Sequence, residues 1–119
     1  IVLLPEAWYM TTATEHKYAL TLLYYLNAGC EADFLKYEEA VLPILEKYDG
    51  RLLYRIRPPR ESFVHPPDEE QPYEVHVVTF GSKEDFIKYK NDPDRQKHIE
   101  LGSRAIKKIR MIAATADEL

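Results

Sequence analysis

Along residues 17–113 the apolar residues recur first at every second position and then at every third or fourth. The alternating pattern returns twice, the helical one once more, and the alternating one last. Few folds accept that succession. Residues 17–26 (KYALTLLYYL) place Tyr18, Leu20, Leu22, Tyr24 and Leu26 on one face and Ala19, Thr21, Leu23 and Tyr25 on the other, as in a strand covered on both sides. In residues 31–48, Phe34, Tyr37, Val41, Ile44, Leu45 and Tyr48 form a helical stripe, with Lys36, Glu38, Glu39, Glu46 and Lys47 mostly between them. Pro43 removes one internal hydrogen bond and should kink or split this helix, and Gly50 stands where a left-handed cap is wanted.

Residues 51–57 (RLLYRIR) alternate, setting Leu52, Tyr54 and Ile56 against Arg51, Leu53, Arg55 and Arg57. Residues 73–80 (YEVHVVTF) alternate too, with Glu74, His76, Val78 and Phe80 on one face. Between these strands lies a proline-rich insertion at 58–72, where proline blocks ladder pairing and stiffens a loop that is either a lid or an ornament. Ser82 and Asp85 resemble a capping box that opens a short helix carrying Phe86, Ile87 and Tyr89. Asp92 and Pro93 restart a helix that frays at Gly102. Residues 106–113 (IKKIRMIA) read as a last strand. We expect an arm at 1–16, one domain at 17–113 and a tail at 114–119.

The order β-α-β-β-α-β is the split βαβ, or ferredoxin-like, plan: an α+β domain with a four-stranded antiparallel sheet and two helices on one of its faces. Its usual strand order, 4-1-3-2, puts the least charged strands in the centre. It leaves Arg51, Arg55 and Arg57, and Lys107, Lys108 and Arg110, on edges where charge deters stray pairing. The face without helices is then expected to hold Ala19, Leu23 and Tyr25, joined by Leu53, Val78 and Phe80. A patch of that kind calls for a second copy packed sheet to sheet, so a homodimer is expected.

The chain resembles the dimeric α/β-barrel superfamily, and within it small uncharacterised domains near the antibiotic-biosynthesis monooxygenase and stress-responsive barrel families. The resemblance is carried by PILEKYDG at the end of the first helix, a glycine-led second strand, a third strand ending in an aromatic residue before Gly-Ser, and the helix break FIKYKNDP. It implies two sheets facing each other across a dimer, with a ligand cavity beside the sheet. In monooxygenase-like members a polar residue on strand three and an aromatic residue four later line that cavity. Here those positions are His76 and Phe80, with Glu74 on the same face. The chain departs from the family in carrying Phe80 where tryptophan is common, and in lacking the Asn, Trp and His set of haem-degrading members.

Glu74 and His76, two apart on a strand, leave the same face, and a carboxylate beside an imidazole can orient it as a general base or acid. The bland alternative is a polar pair at a dimer interface. Arg55 and Arg57 could bind a carboxylate or phosphate of a ligand, or serve only as edge guards. Tyr25 could hydrogen-bond a ligand or simply pack. His16, His65, His76 and His98 share no zinc spacing, and the single cysteine, Cys30, excludes a cysteine-based metal site, so neither metal nor cofactor is expected.

Net charge −4 argues against a nucleic-acid grip, and strand three lacks the basic-Gly-aromatic signature of an RNA-recognition motif. No apolar run approaches the ~18 residues of a membrane span. These observations lead us to expect a soluble, cytoplasmic homodimer that binds a small organic ligand. It is either a cofactor-independent, monooxygenase-like or isomerase/lyase-like enzyme, or a non-catalytic stress-related dimer whose sheet face is mainly interface.

Overall fold

The computed structural model describes residues 17–67 and 69–115; the expected arm at 1–16 and the end of the tail at 116–119 lie outside the described residues. Four strands, β1 (Tyr18–Leu26), β2 (Arg51–Ile56), β3 (Glu74–Phe80) and β4 (Ile106–Thr115), pair antiparallel in the order β2-β3-β1-β4. This is the expected ferredoxin-like order, with the basic strands β2 and β4 at the edges. β4 runs two residues past the expected end of the domain.

Helix α1 (Glu31–Val41) stops because Pro43 has no N–H to offer the carbonyl four residues back. The chain tightens into a 3-10 turn over Leu42–Tyr48, so the expected split falls at the proline. The carbonyl of Val41, freed at the helix end, accepts the Tyr89 hydroxyl at 3.2 Å. The left-handed residue after this turn is Asp49 (φ 54°), not Gly50. Gly50 is needed for closeness instead: a Cβ there would stand 2.8 Å from the Leu45 carbonyl and 2.9 Å from the Phe80 ring.

The second helical region is broken into α2 (Lys83–Lys90), α3 (Pro93–Gln96) and α4 (Ile99–Ala105). Ser82 caps α2 by accepting from the Asp85 amide at 3.1 Å. Asp92 caps α3 by accepting from the amides of Asp94 and Arg95 at 2.8 and 3.0 Å. Gly102, expected at a frayed end, lies inside α4, where a Cβ would meet the Tyr37 ring at 2.6 Å. That close approach seats α4 on α1.

Register decides which sheet face the helices cover. Leu20 pairs with Val78, Leu22 with His76, Tyr24 with Glu74 and Tyr18 with Phe80, so all of these share a face. Leu20, Val78 and Phe80 pack with Ile44, Leu45 and Tyr89, and Tyr24 packs with Phe34 and Ala105. The face bearing Glu74 and His76 is therefore the covered one. Val78 and Phe80 are corrected from the open face to the core, where they are 3% and 1% exposed.

A register shift between Leu52 and Tyr54 divides β2. Leu52 opposite Val78 and Arg55 opposite His76 look toward the helices, while Tyr54 opposite Val77 and Ile56 opposite Val75 look away. The open face keeps Ala19, Thr21 and Leu23, paired with Thr79, Val77 and Val75, and Tyr25, paired with Lys108 on β4. Tyr54, Ile56 and Ile112 are exposed.

Candidate functional site

Beneath the helices, between β1, β3, β4 and the inner sides of α1–α3, is a cavity of about 290 Å³, at the low end of the ~300–1,000 Å³ common for small-molecule pockets. Its wall is mostly aliphatic and aromatic, with Leu20, Val41, Leu45, Val78, Phe80 and Phe86 among its members. Polar groups reach it from His76 on β3, Glu38 and Tyr37 on α1, Tyr89 and Lys90 on α2 and Arg95 on α3.

His76 is fully buried, with its ring 4.6 Å from that of Tyr24. Its Nε2 lies 2.5 Å from Glu74 Oε1. Glu74 is itself held from its other sides: Arg55 Nε donates to Oε1 at 2.5 Å and Arg57 Nε to Oε2 at 2.6 Å. Burial alone would push the Glu74 carboxyl up, but hydrogen bonds from His76, Arg55 and Arg57 outweigh it and hold the group at about 2. Glu74 is thus an anion at neutral pH. The nitrogen facing it, Nε2, must carry a proton, so in the neutral imidazole the lone pair is on Nδ1. Nδ1 has no hydrogen-bond partner among the described residues.

Glu38 lies across from Nδ1, with Oε2 3.9 Å away. It is 1% exposed, and neither oxygen has a hydrogen-bond partner. Burial pushes its carboxyl up to about 8, with Arg55 opposing and Glu74 reinforcing the rise. Two carboxyls flanking His76, one on β3 and one on α1, are therefore held in opposite states at pH 7, Glu74 ionised and Glu38 protonated. An imidazole lone pair and a carboxylic acid side by side in an apolar cavity can take a proton from one atom of a bound molecule and deliver one to another. Burial also raises the hydroxyl groups nearby, Tyr24 well above its ordinary value and Tyr89 to about 12, so both are neutral donors.

Of the residues expected at a site, the structure brings together His76, Glu74, Arg55 and Arg57. Arg55 and Arg57 stand behind His76 as partners of Glu74 and do not line the cavity. Phe80 lines it from the covered face. Tyr25 does not reach it: that side chain is on the opposite face, 5% exposed beneath the ammonium of Lys108 at 4.5 Å and the guanidinium of Arg110 at 5.7 Å. None of the described residues of the 58–72 loop belongs to the cavity wall, so the loop is no lid over it. No group of three or more His, Cys, Asp or Glu among the described residues could hold a metal ion.

Glu38 and Arg95 escaped the sequence reading. For Glu38 a signal existed: it stands four residues after Phe34 and three before Val41, inside the apolar stripe of α1, where a carboxylate has no solvent to face. Arg95 had none, because a surface arginine and a cavity arginine look alike in a short polar helix.

No protein-family model matches the chain, and no curated protein matches it. Solved structures do. A protein of unknown function from Rhodopseudomonas palustris superposes with a TM-score of 0.73 at 16% identity, covering 91% of this chain and 88% of that one. A nipsnap family protein of unknown function from Agrobacterium tumefaciens gives 0.62 at 17% identity over 88% and 91%. A dabb family protein with a ferredoxin-like fold from Mesorhizobium loti gives 0.59 at 12% identity over 84% and 96%. The expected likeness to small, uncharacterised ferredoxin-like domains holds at the level of fold, and it is the ferredoxin-like α+β fold that this chain shares with them.

Proposed function

We propose that the chain is a homodimeric, cofactor-independent enzyme that moves protons on a small, largely apolar carbonyl compound bound between sheet and helices. One observation carries this reading: the unpartnered Nδ1 of a buried histidine, oriented by a doubly clamped carboxylate, faces a buried and protonated Glu38 in a cavity whose wall is mostly apolar. Leaving such groups without partners costs roughly 1–3 kcal/mol each, so a fold that keeps them gains elsewhere. In this scheme Nδ1 of His76 removes a proton beside the carbonyl, Glu74 stabilises the imidazolium through Nε2, and Glu38 protonates the oxygen as negative charge builds on it. Proton removal of this kind is the isomerase-type step, and monooxygenase-like chemistry without a cofactor begins the same way.

The homodimer rests on the open face, where Leu23, Tyr54, Ile56 and Ile112 form an apolar surface that a second sheet would cover. A solved neighbour with a ferredoxin-like fold, from Bacteroides fragilis, is described as dimeric. A second reading, a ligand-binding dimer without turnover, draws on the same face.

Deuterium exchange at the α-carbon of 1-indanone in heavy water, followed by proton NMR, separates them. The enzyme reading expects exchange above background that falls at least about 100-fold in His76→Gln, within the usual range for a lost general base. Shifts of the indanone resonances without exchange support the second reading. Neither exchange nor binding overturns both.

A further inference from the structure

The polar groups of the cavity are not balanced in charge. Arg95 lines it with Nη1 donating to the Lys90 carbonyl at 3.1 Å, Nη2 donating to the Tyr37 hydroxyl at 3.1 Å, and a buried Nε that donates to nothing among the described residues. Its guanidinium lies over the Tyr89 ring, 5.0 Å from the centroid, which fixes its plane. No carboxylate of the described residues comes within 4 Å of it. A guanidinium drawn partly out of water normally meets one, because its donors match carboxylate geometry and its charge is costly to leave unpaired. Lys90, more exposed on the same wall, also lacks a carboxylate partner among the described residues; its ammonium lies 5.5 Å from the Phe86 ring centroid.

The one carboxyl in the wall, Glu38, is protonated at neutral pH and does not neutralise them. A chain of net charge −4 thus carries a cationic, apolar-walled cavity, and Arg95 is the oriented cation within it.

We propose that the compound bound here is a small aryl or alkyl carboxylate, whose carboxylate is received by Arg95 while its apolar body lies along Val41, Val78 and Phe80. The inference rests on the cavity being a ligand site, and it adds the class of ligand. It also assigns Arg95 as the residue that selects for charge, in place of Arg55 and Arg57, which are committed to Glu74.

Benzoate and its neutral isostere benzamide test this by isothermal calorimetry on the full chain at pH 7. Benzoate is expected to bind at least about tenfold more tightly, a modest figure for a charge-assisted, bidentate pair. In Arg95→Gln that preference should fall to within about twofold, with benzamide unaffected. Arg95→Lys, which keeps the charge and loses the fork, should retain part of it. Should Arg95→Gln fail to fold, the wild-type pair and Arg95→Lys still decide. Equal binding of the two compounds would overturn the inference and leave the cavity reading standing. So would a benzoate preference that survives Arg95→Gln, which would make Arg95 only a brace between Lys90 and Tyr37. If neither compound binds, the inference and the ligand-site reading fall together.

Discussion

The two faces of the sheet carry burdens opposite to their surroundings. Under the helices, shielded from bulk solvent, sit Glu74, His76 and, from α1, Glu38, all 1% exposed or less. On the open face, where water has access, stand Tyr54, Ile56 and Ile112, at 64%, 50% and 62%. A fold optimised only for stability would exchange these assignments, since buried charge costs and exposed apolar area gains nothing. The contrast teaches that the faces serve different ends. In the proposed reading the covered one holds the chemistry and the open one meets a second copy.

Aspartate introduced on each face breaks the comparison most sharply. Phe80→Asp places an unpaired charge in the core and is expected to abolish the cooperative unfolding transition, a loss above ~4 kcal/mol. Leu23→Asp on the open face should leave the transition in place and convert the proposed dimer to monomer in light scattering. Equal damage to folding by both would erase the distinction between faces.

The next effect is on the clamped carboxylate. Glu74→Gln leaves Arg55, Arg57 and His76 without their anion, and is expected to lower stability in urea at pH 7 by roughly 3–5 kcal/mol, the usual range for breaking a buried pair. A loss under ~1 kcal/mol would mean that the network is solvated.

Glu38 should act with the reverse sign. Its folded-state value of about 8 lies above the 4.5 of an unperturbed glutamate, so the folded chain keeps a proton that the unfolded chain releases. Its effect on stability is absent below pH 4.5, grows as a loss between 4.5 and about 8, and is constant above. Glu38→Gln should remove that slope and be more stable than wild type at pH 9, by about 2–4 kcal/mol. Glu74, held at about 2, contributes stability that is present above pH 4.5 and lost as pH falls through 2. Parallel melting curves of wild type and Glu38→Gln across pH 4.5–9 would contradict the burial of a charged-state penalty at this position.

The smallest expected effect is in packing. Val41→Ala, at a position 2% exposed in the cavity wall, should cost roughly 1–3 kcal/mol. An unchanged melting temperature would mean that the wall repacks freely.

Much of this architecture was legible in the sequence. Alternation in YALTLLYYL and EVHVVTF assigns the side chains of β1 and β3 to two faces, and Pro43 and Asp92-Pro93 break the helices where they are broken. Alternation does not say which face the helices choose. That depends on the pairing of Leu20 with Val78, a long-range fact, and it is why Val78 and Phe80 were expected on the wrong side. The register shift at Leu53, which turns Arg55 toward Glu74, has no local signature. Glu74 with His76 was legible because a two-residue spacing forces proximity. Glu38 was passed over because charge in a helix ordinarily signals solvent, and here it is the exception that the cavity requires.

The central claim, that two carboxyls between sheet and helices are held in opposite protonation states around His76, is open to direct measurement. Carbon-13 NMR of the chain labelled at glutamate side-chain carboxyls, titrated from pH 2 to 10 and assigned with Glu38→Gln and Glu74→Gln, reads each group separately. We expect one carboxyl, absent in Glu38→Gln, to titrate near 8, and one, absent in Glu74→Gln, to remain ionised down to about 2. Both groups titrating together near 4.5, the ordinary glutamate value, would contradict the account.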